Sequence, residues 1–112
     1  MTSSNKRPHN RVINTYPIDF VENLIGDDVR SWDGKGGKFQ KTPEHEIELE
    51  GYRVYTRSMR YKTFMEKGYT CVKCGRKGAY YALETSSDNV KRAHFNLYAE
   101  DGMLMTKDHI MP

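Results

Sequence analysis

Residues 93–110 read AHFNLYAEDGMLMTKDHI, and the fold turns on how this stretch pairs with itself. Its first half alternates, with Phe95 and Leu97 on one face and His94, Asn96 and Tyr98 on the other, the period of a half-buried strand. Asp101-Gly102 is a strong hairpin signal, and a second short strand follows it directly. A two-residue loop sets Tyr98 opposite Met105, Asn96 opposite Lys107 and His94 opposite His109. One face of this hairpin is then polar and bears imidazoles, while the other holds Phe95, Leu97, Leu104 and Ile110. A loop of three to five residues would change the register.

Upstream, HEIELEGYRVYT (45–56) has the same character. A two-residue Glu50-Gly51 turn sets Leu49 opposite Tyr52 and Ile47 opposite Val54, two apolar cross-strand pairs on one face. Ser58 can cap a helix from Met59 to about Lys67, with Tyr61, Phe64 and Met65 inward and Gly68 as its stop. AYYALE (79–84) reads as a strand and SSDN (86–89) as a turn. Toward the N-terminus, residues 1–15 are polar, basic and aperiodic, the character of a mobile arm. A short helix follows from Pro17 to Ile25, with Gly26 able to close it. From Asp27 to Pro43 the composition is that of a linker; DGKGGK (33–38) is no phosphate cradle, because Phe39 stands where Ser or Thr is required. The expected class is therefore α+β, with residues 1–43 as a basic arm, short helix and linker, and 44–112 as the ordered domain.

The chain has 112 residues, one small domain at most, with 20 Val, Ile, Leu and Phe, eight Tyr and a net charge of +3. Chains of this size often need a metal, a disulfide or a partner. No apolar run approaches the 18 residues of a membrane span, and MTSSNKRPHNR (1–11) leads into no apolar stretch, so no secretory signal is read. Two cysteines in that setting point to a reducing compartment, the cytoplasm, and to thiol or metal chemistry.

Those cysteines stand in Cys71-Val72-Lys73-Cys74-Gly75. Thiolates two residues apart can grip one Zn²⁺ from a tight turn, and Gly75 lets the backbone fold so that its amides face sulfur. Zinc takes four ligands; His94 or His45, a second copy of the chain or another segment could supply the rest. A redox reading needs a thioredoxin-like βαβ context, which is missing, and two plain reduced thiols are the bland alternative. Asp108-His109 is the second candidate: an Asp oxygen can hold a hard divalent cation while the adjacent imidazole takes a proton from water. Strict alternation would send the two side chains to opposite faces, so the pair cooperates only where the strand ends or twists. Between Arg53 and Lys77 lie eight basic residues (Arg53, Arg57, Arg60, Lys62, Lys67, Lys73, Arg76 and Lys77) and one acid, Glu66. Such asymmetry suits a phosphate-facing patch as well as a solvated basic face.

Taken in order, CVKCG (71–75), YYALE (80–84), HFNLYA (94–99) and LMTKDHIMP (104–112) resemble the front half of HNH endonucleases of phages and bacteria. In that family a zinc ribbon of two C-x-x-C pairs braces a ββα-metal, or His-Me finger, nuclease site. The resemblance implies that Cys71 and Cys74 are the first structural zinc pair, that Asp108 binds a catalytic Mg²⁺ or similar ion, and that His109 is the general base. His94 and Asn96 match positions typical of the subgroup and are candidates for site support. DNA is the implied partner, in the cytoplasm of a bacterial or phage-infected cell. The second Cys pair, the central Asn, the second ββα strand and the metal-binding helix are not among these residues, so the 112-residue chain is expected to be an incomplete domain of weak or no activity. Two further readings compete: a non-catalytic zinc-binding nucleic-acid module, acting as a dimer that completes a four-thiolate site or with a partner, and a small structural zinc protein.

Overall fold

The structure, a computed structural model, describes residues 10–35, 45–87 and 89–106. It is an α+β arrangement of six strands in one sheet and two helices. The elements are β1 (Arg11–Pro17), α1 (Ile18–Ser31), β2 (Glu46–Leu49), β3 (Tyr52–Tyr55), α2 (Met59–Lys67), β4 (Gly78–Thr85), β5 (Arg92–Ala99) and β6 (Leu104–Met105). Strand order is β1-β4-β5-β3-β2, with β6 also paired to β5.

The β2–β3 hairpin forms in the expected register, Leu49 against Tyr52 and Ile47 against Val54. Helix α2 also follows its signals: the Arg60 amide donates to the Ser58 hydroxyl at 3.3 Å, Tyr61, Phe64 and Met65 are buried, and Gly68 ends it.

The N-terminal reading needs correction. Residues 11–15 of the expected arm belong to an edge strand, Arg11–Pro17, antiparallel to β4 with Tyr16 opposite Tyr81, and Pro17, expected as the first helical residue, ends this strand and caps α1. A bulge between Val12 and Asn14 breaks its alternation, so that Ile13 and Tyr16, three residues apart, are its half-buried positions. Helix α1 runs past Gly26 to Ser31, because Val21, Ile25 and Val29 form one apolar stripe that Trp32 continues, all of it buried. Residues 27–32 of the expected linker are thus ordered helix and its cap, while residues 36–44 lie outside the described residues.

The second hairpin forms in a different register. Tyr98 faces Leu104 and Leu97 faces Met105, one residue off the two-residue-loop expectation. The loop is Glu100-Asp101-Gly102, closed by Gly102 N–H to Ala99 O at 2.9 Å and Ala99 N–H to Met103 O at 3.0 Å. Gly102 takes φ +84°, the left-handed position of a three-residue loop. This register places Met105, 1% exposed, beside Leu97 in the core, where the sequence reading had Leu104. The pairs expected with Lys107 and His109 lie outside the described residues.

One core cluster joins Val21, Ile25 and Val29 of α1 and Tyr61, Phe64 and Met65 of α2 to the odd-numbered positions of β4 and β5. Both helices therefore pack on the same face of the sheet. Beyond that face, β5 has a shared edge: β3 pairs in parallel with Arg92 and Ala93, and β6 with Leu97 and Tyr98. Between them the Phe95 amide donates to the Tyr61 hydroxyl at 2.8 Å, so a helix side chain stands in for a missing strand. The sheet also curls, because its two edges meet: Arg11 donates to the Tyr52 hydroxyl (2.7 Å), and Asn14 (2.9 Å) and Tyr16 (2.5 Å) donate to Glu50. No helix of the described residues is long and apolar enough to cross a membrane.

Candidate functional site

After Gly68 the chain doubles back as a tight loop carrying both cysteines. Thr70 and Lys77 form a bridge, Gly78 N–H donates to Tyr69 O (2.7 Å), and Cys71 N–H donates to Arg76 O (2.7 Å). A turn within it is closed by Gly75 N–H to Cys71 O at 3.0 Å, and Gly75 takes φ +75°. The Cys71 thiol is held below the ordinary range by the Cys74 amide, the Lys73 amide, the Cys74 thiol and Arg76, which together outweigh desolvation. The amides of the turn thus face the Cys71 sulfur, as a C-x-x-C-G turn requires. Both thiols are free, Cys71 buried and Cys74 exposed.

Arg76 reaches Cys74 Sγ at 3.8 Å and Asp101 at 3.1 Å, tying this loop to the β5–β6 loop. No group of three or more His, Cys, Asp or Glu suited to a metal ion is found among the described residues, so neither His45 nor His94 completes a site with the thiols there. Instead, His45 lies 3.4 Å from Asp28 of α1.

The helix-free face of β4 and β5 holds the second constellation. Glu84, 3% exposed, accepts from Asn96 Nδ2 at 2.8 Å, from Asn10 Nδ2 at 3.2 Å and from the Tyr98 hydroxyl. His94 is its cross-strand neighbour. Asn96 is therefore a buried donor to a carboxylate, not a solvent-facing side chain, and Glu84 is the member that the sequence reading missed. The available signal was register: with the β4–β5 pairing known, Glu84 falls opposite His94 and diagonal to Asn96. The Tyr80 and Tyr98 rings stack on this face at 5.6 Å.

The basic residues of 53–77 do not form one patch. Arg57 is 3.4 Å from Asp28, Lys62 binds Trp32 O (2.5 Å) and Glu66 (2.7 Å), and Arg60 lies over the Tyr61 ring at 5.8 Å. Arg53 is exposed on β3, whereas Lys73, Arg76 and Lys77 belong to the cysteine loop, which leads into β4 at the other end of β5. Those ends are about 25 Å apart at 3.3 Å per residue. Asp108 and His109 lie outside the described residues.

No family model, curated protein or solved structure matches this chain.

Proposed function

We propose that the chain carries part of an HNH-type endonuclease that hydrolyses DNA phosphodiester bonds with a divalent ion. The observation that carries this reading is the cysteine turn, whose amides already face sulfur, set ahead of a β4–β5–β6 meander that leads toward Asp108 and His109. Cys71 and Cys74 fit two of the four ligands of a structural Zn²⁺, which would brace the turn against the sheet. The assignment of Asp108 as ligand of a catalytic Mg²⁺ or similar ion, and of His109 as the base that takes a proton from water, rests on the resemblance of LMTKDHIMP (104–112). A bound divalent ion supplies charge stabilisation at the phosphoryl oxygens. Glu84 locks the Asn96 amide and the Tyr98 hydroxyl, so the face beside His94 is pre-organised.

The test is nicking of supercoiled plasmid by the chain in Mg²⁺. Slow open-circle formation, lost in His109→Ala and Asp108→Ala, supports the reading, whereas cutting that survives those substitutions refutes it. No cutting at any metal concentration fits the incomplete domain, and salt-sensitive DNA binding without cutting that is lost with Zn²⁺ removal favours the non-catalytic alternative, a zinc-binding nucleic-acid module with exposed Lys73 and Lys77 in the cysteine loop. One Zn²⁺ per two chains would then mark the dimer.

A further inference from the structure

Four cations, three from β1, β3 and β5 and one from the turn before β5, lie at one end of the curled sheet. Parallel pairing puts Arg53 of β3 directly beside Arg92 of β5, and both are exposed. Like charges so placed repel, and sheets avoid the arrangement unless something offsets it. Lys91, next in the chain, takes φ +53°, a backbone conformation unfavourable for a Lys. That conformation lets its carbonyl accept the Arg53 amide at 2.8 Å while its ammonium lies 5.2 Å over the Tyr52 ring. Arg11 of β1 reaches the hydroxyl of the same Tyr52.

Two carboxylates share this rim: Glu46 binds Arg92 at 2.7 Å, and Glu48 stands opposite Arg53. Lys91 and Arg53 make no ion pair among the described residues. The rim thus keeps an excess of positive charge, and it adjoins the Glu84–Asn96 face, since Arg92 and His94 point the same way from β5, about 7 Å apart.

We propose that this rim is a docking surface for the phosphate backbone of duplex DNA, with Arg53, Lys91 and Arg92 as its phosphate contacts. The inference rests on the nucleic-acid reading above and refines it, since Lys91 and Arg92 lie outside the 53–77 stretch and Lys73, Arg76 and Lys77 lie at the far end of the sheet. Each phosphate contact adds about 0.9 to the slope of log K against log salt.

The experiment measures anisotropy of a labelled 20-base-pair duplex with the 112-residue chain between 50 and 200 mM salt. Arg53→Gln/Lys91→Gln, which breaks no ion pair among the described residues, is expected to lower the slope by about 1.8, making the affinity loss across that salt range about twelvefold smaller. Adding Arg92→Gln lowers it further, and Arg53→Lys/Arg92→Lys retains the slope, which separates charge from folding. A double variant whose slope falls by less than about 1 overturns the proposal. If in that case Lys73→Gln/Lys77→Gln does flatten the slope, the DNA reading survives with its surface at the cysteine loop. Absence of salt-sensitive binding in the wild-type chain overturns both.

Discussion

Replacing Asp28 with Ala should unfasten α1 from the base of the β2–β3 hairpin. The carboxylate accepts the Thr56 hydroxyl on one oxygen and faces Arg57 Nη2 and His45 Nδ1, both at 3.4 Å, on the other. Thr56 is 2% exposed, so a hydrogen bond from it to a charged acceptor contributes about 1.5–3 kcal/mol. The lower end applies, because the freed hydroxyl can turn to His45 O, 2.9 Å away. Arg57 and His45 meet a carboxylate that is 33% exposed, and solvent screening limits the two contacts to about 0.5 kcal/mol together. The expected loss is about 2 kcal/mol, roughly 8 °C in Tm for a domain of this size.

Urea unfolding of wild type, Asp28→Ala and Asp28→Asn measures it, and a Thr56→Val cycle isolates the hydroxyl's share. The pH dependence has a definite sign. Desolvation raises the Asp28 pKa, but Thr56, Arg57 and His45 outweigh it and leave the folded-state value below the ordinary one. Its contribution is therefore complete above an unfolded-state value of about 4 and is lost as pH falls through the lower folded-state value. The gap between wild type and Asp28→Asn at pH 7 should close in acid. Losses under about 0.5 kcal/mol, or a gap unchanged down to pH 2, would refute the reasoning.

Four further outcomes follow from the same geometry. Tyr61→Phe leaves the buried Phe95 amide without its acceptor; it should cost about 1–3 kcal/mol and accelerate hydrogen exchange at Phe95 specifically. Gly78→Ala drives a Cβ to 2.8 Å from Leu97 Cδ2 in the core and should lower stability by about 1–3 kcal/mol, while Gly26→Ala meets only the mobile end of Arg30 and should be neutral or slightly stabilising in thermal melts. Glu84→Ala strands the Asn96 amide, 1% exposed, and should cost about 2–3 kcal/mol by denaturant titration, with a loss below 0.5 kcal/mol contradicting the cluster's role. Co²⁺ added to the reduced chain should give thiolate charge-transfer absorption that Cys71→Ser and Cys74→Ser each diminish; bands unchanged by both would remove the cysteines from metal binding.

Legibility followed the range of the interactions. The β2–β3 hairpin and α2 were readable because a turn dipeptide, a Ser cap and a Gly stop act within a few residues of the apolar pattern they organise. In β1 that pattern was hidden, since the bulge between Val12 and Asn14 shifts the inward positions and β4, which pairs with it, lies some seventy residues away. Gly26 misled in the same manner: as a local signal it ends a helix, yet burial of Val29 and Trp32 carries the chain beyond it. The candidate site divides likewise. The cysteine turn is a local motif and was legible, whereas Glu84 enters only through cross-strand register.

By itself the amino-acid sequence determined the α+β class, the order of most elements and the turn that aims amides at Cys71, because propensity, capping and binary pattern act over short stretches of chain. Tertiary structure alone decided the loop register that buries Met105, the capture of Glu84 by Asn96 and Tyr98, and the scattering of the basic residues to opposite ends of β5. A one-residue slip or a bulge costs little locally yet exchanges which side chains reach the core, and only the packed sheet and helices supply the energy difference that selects among them.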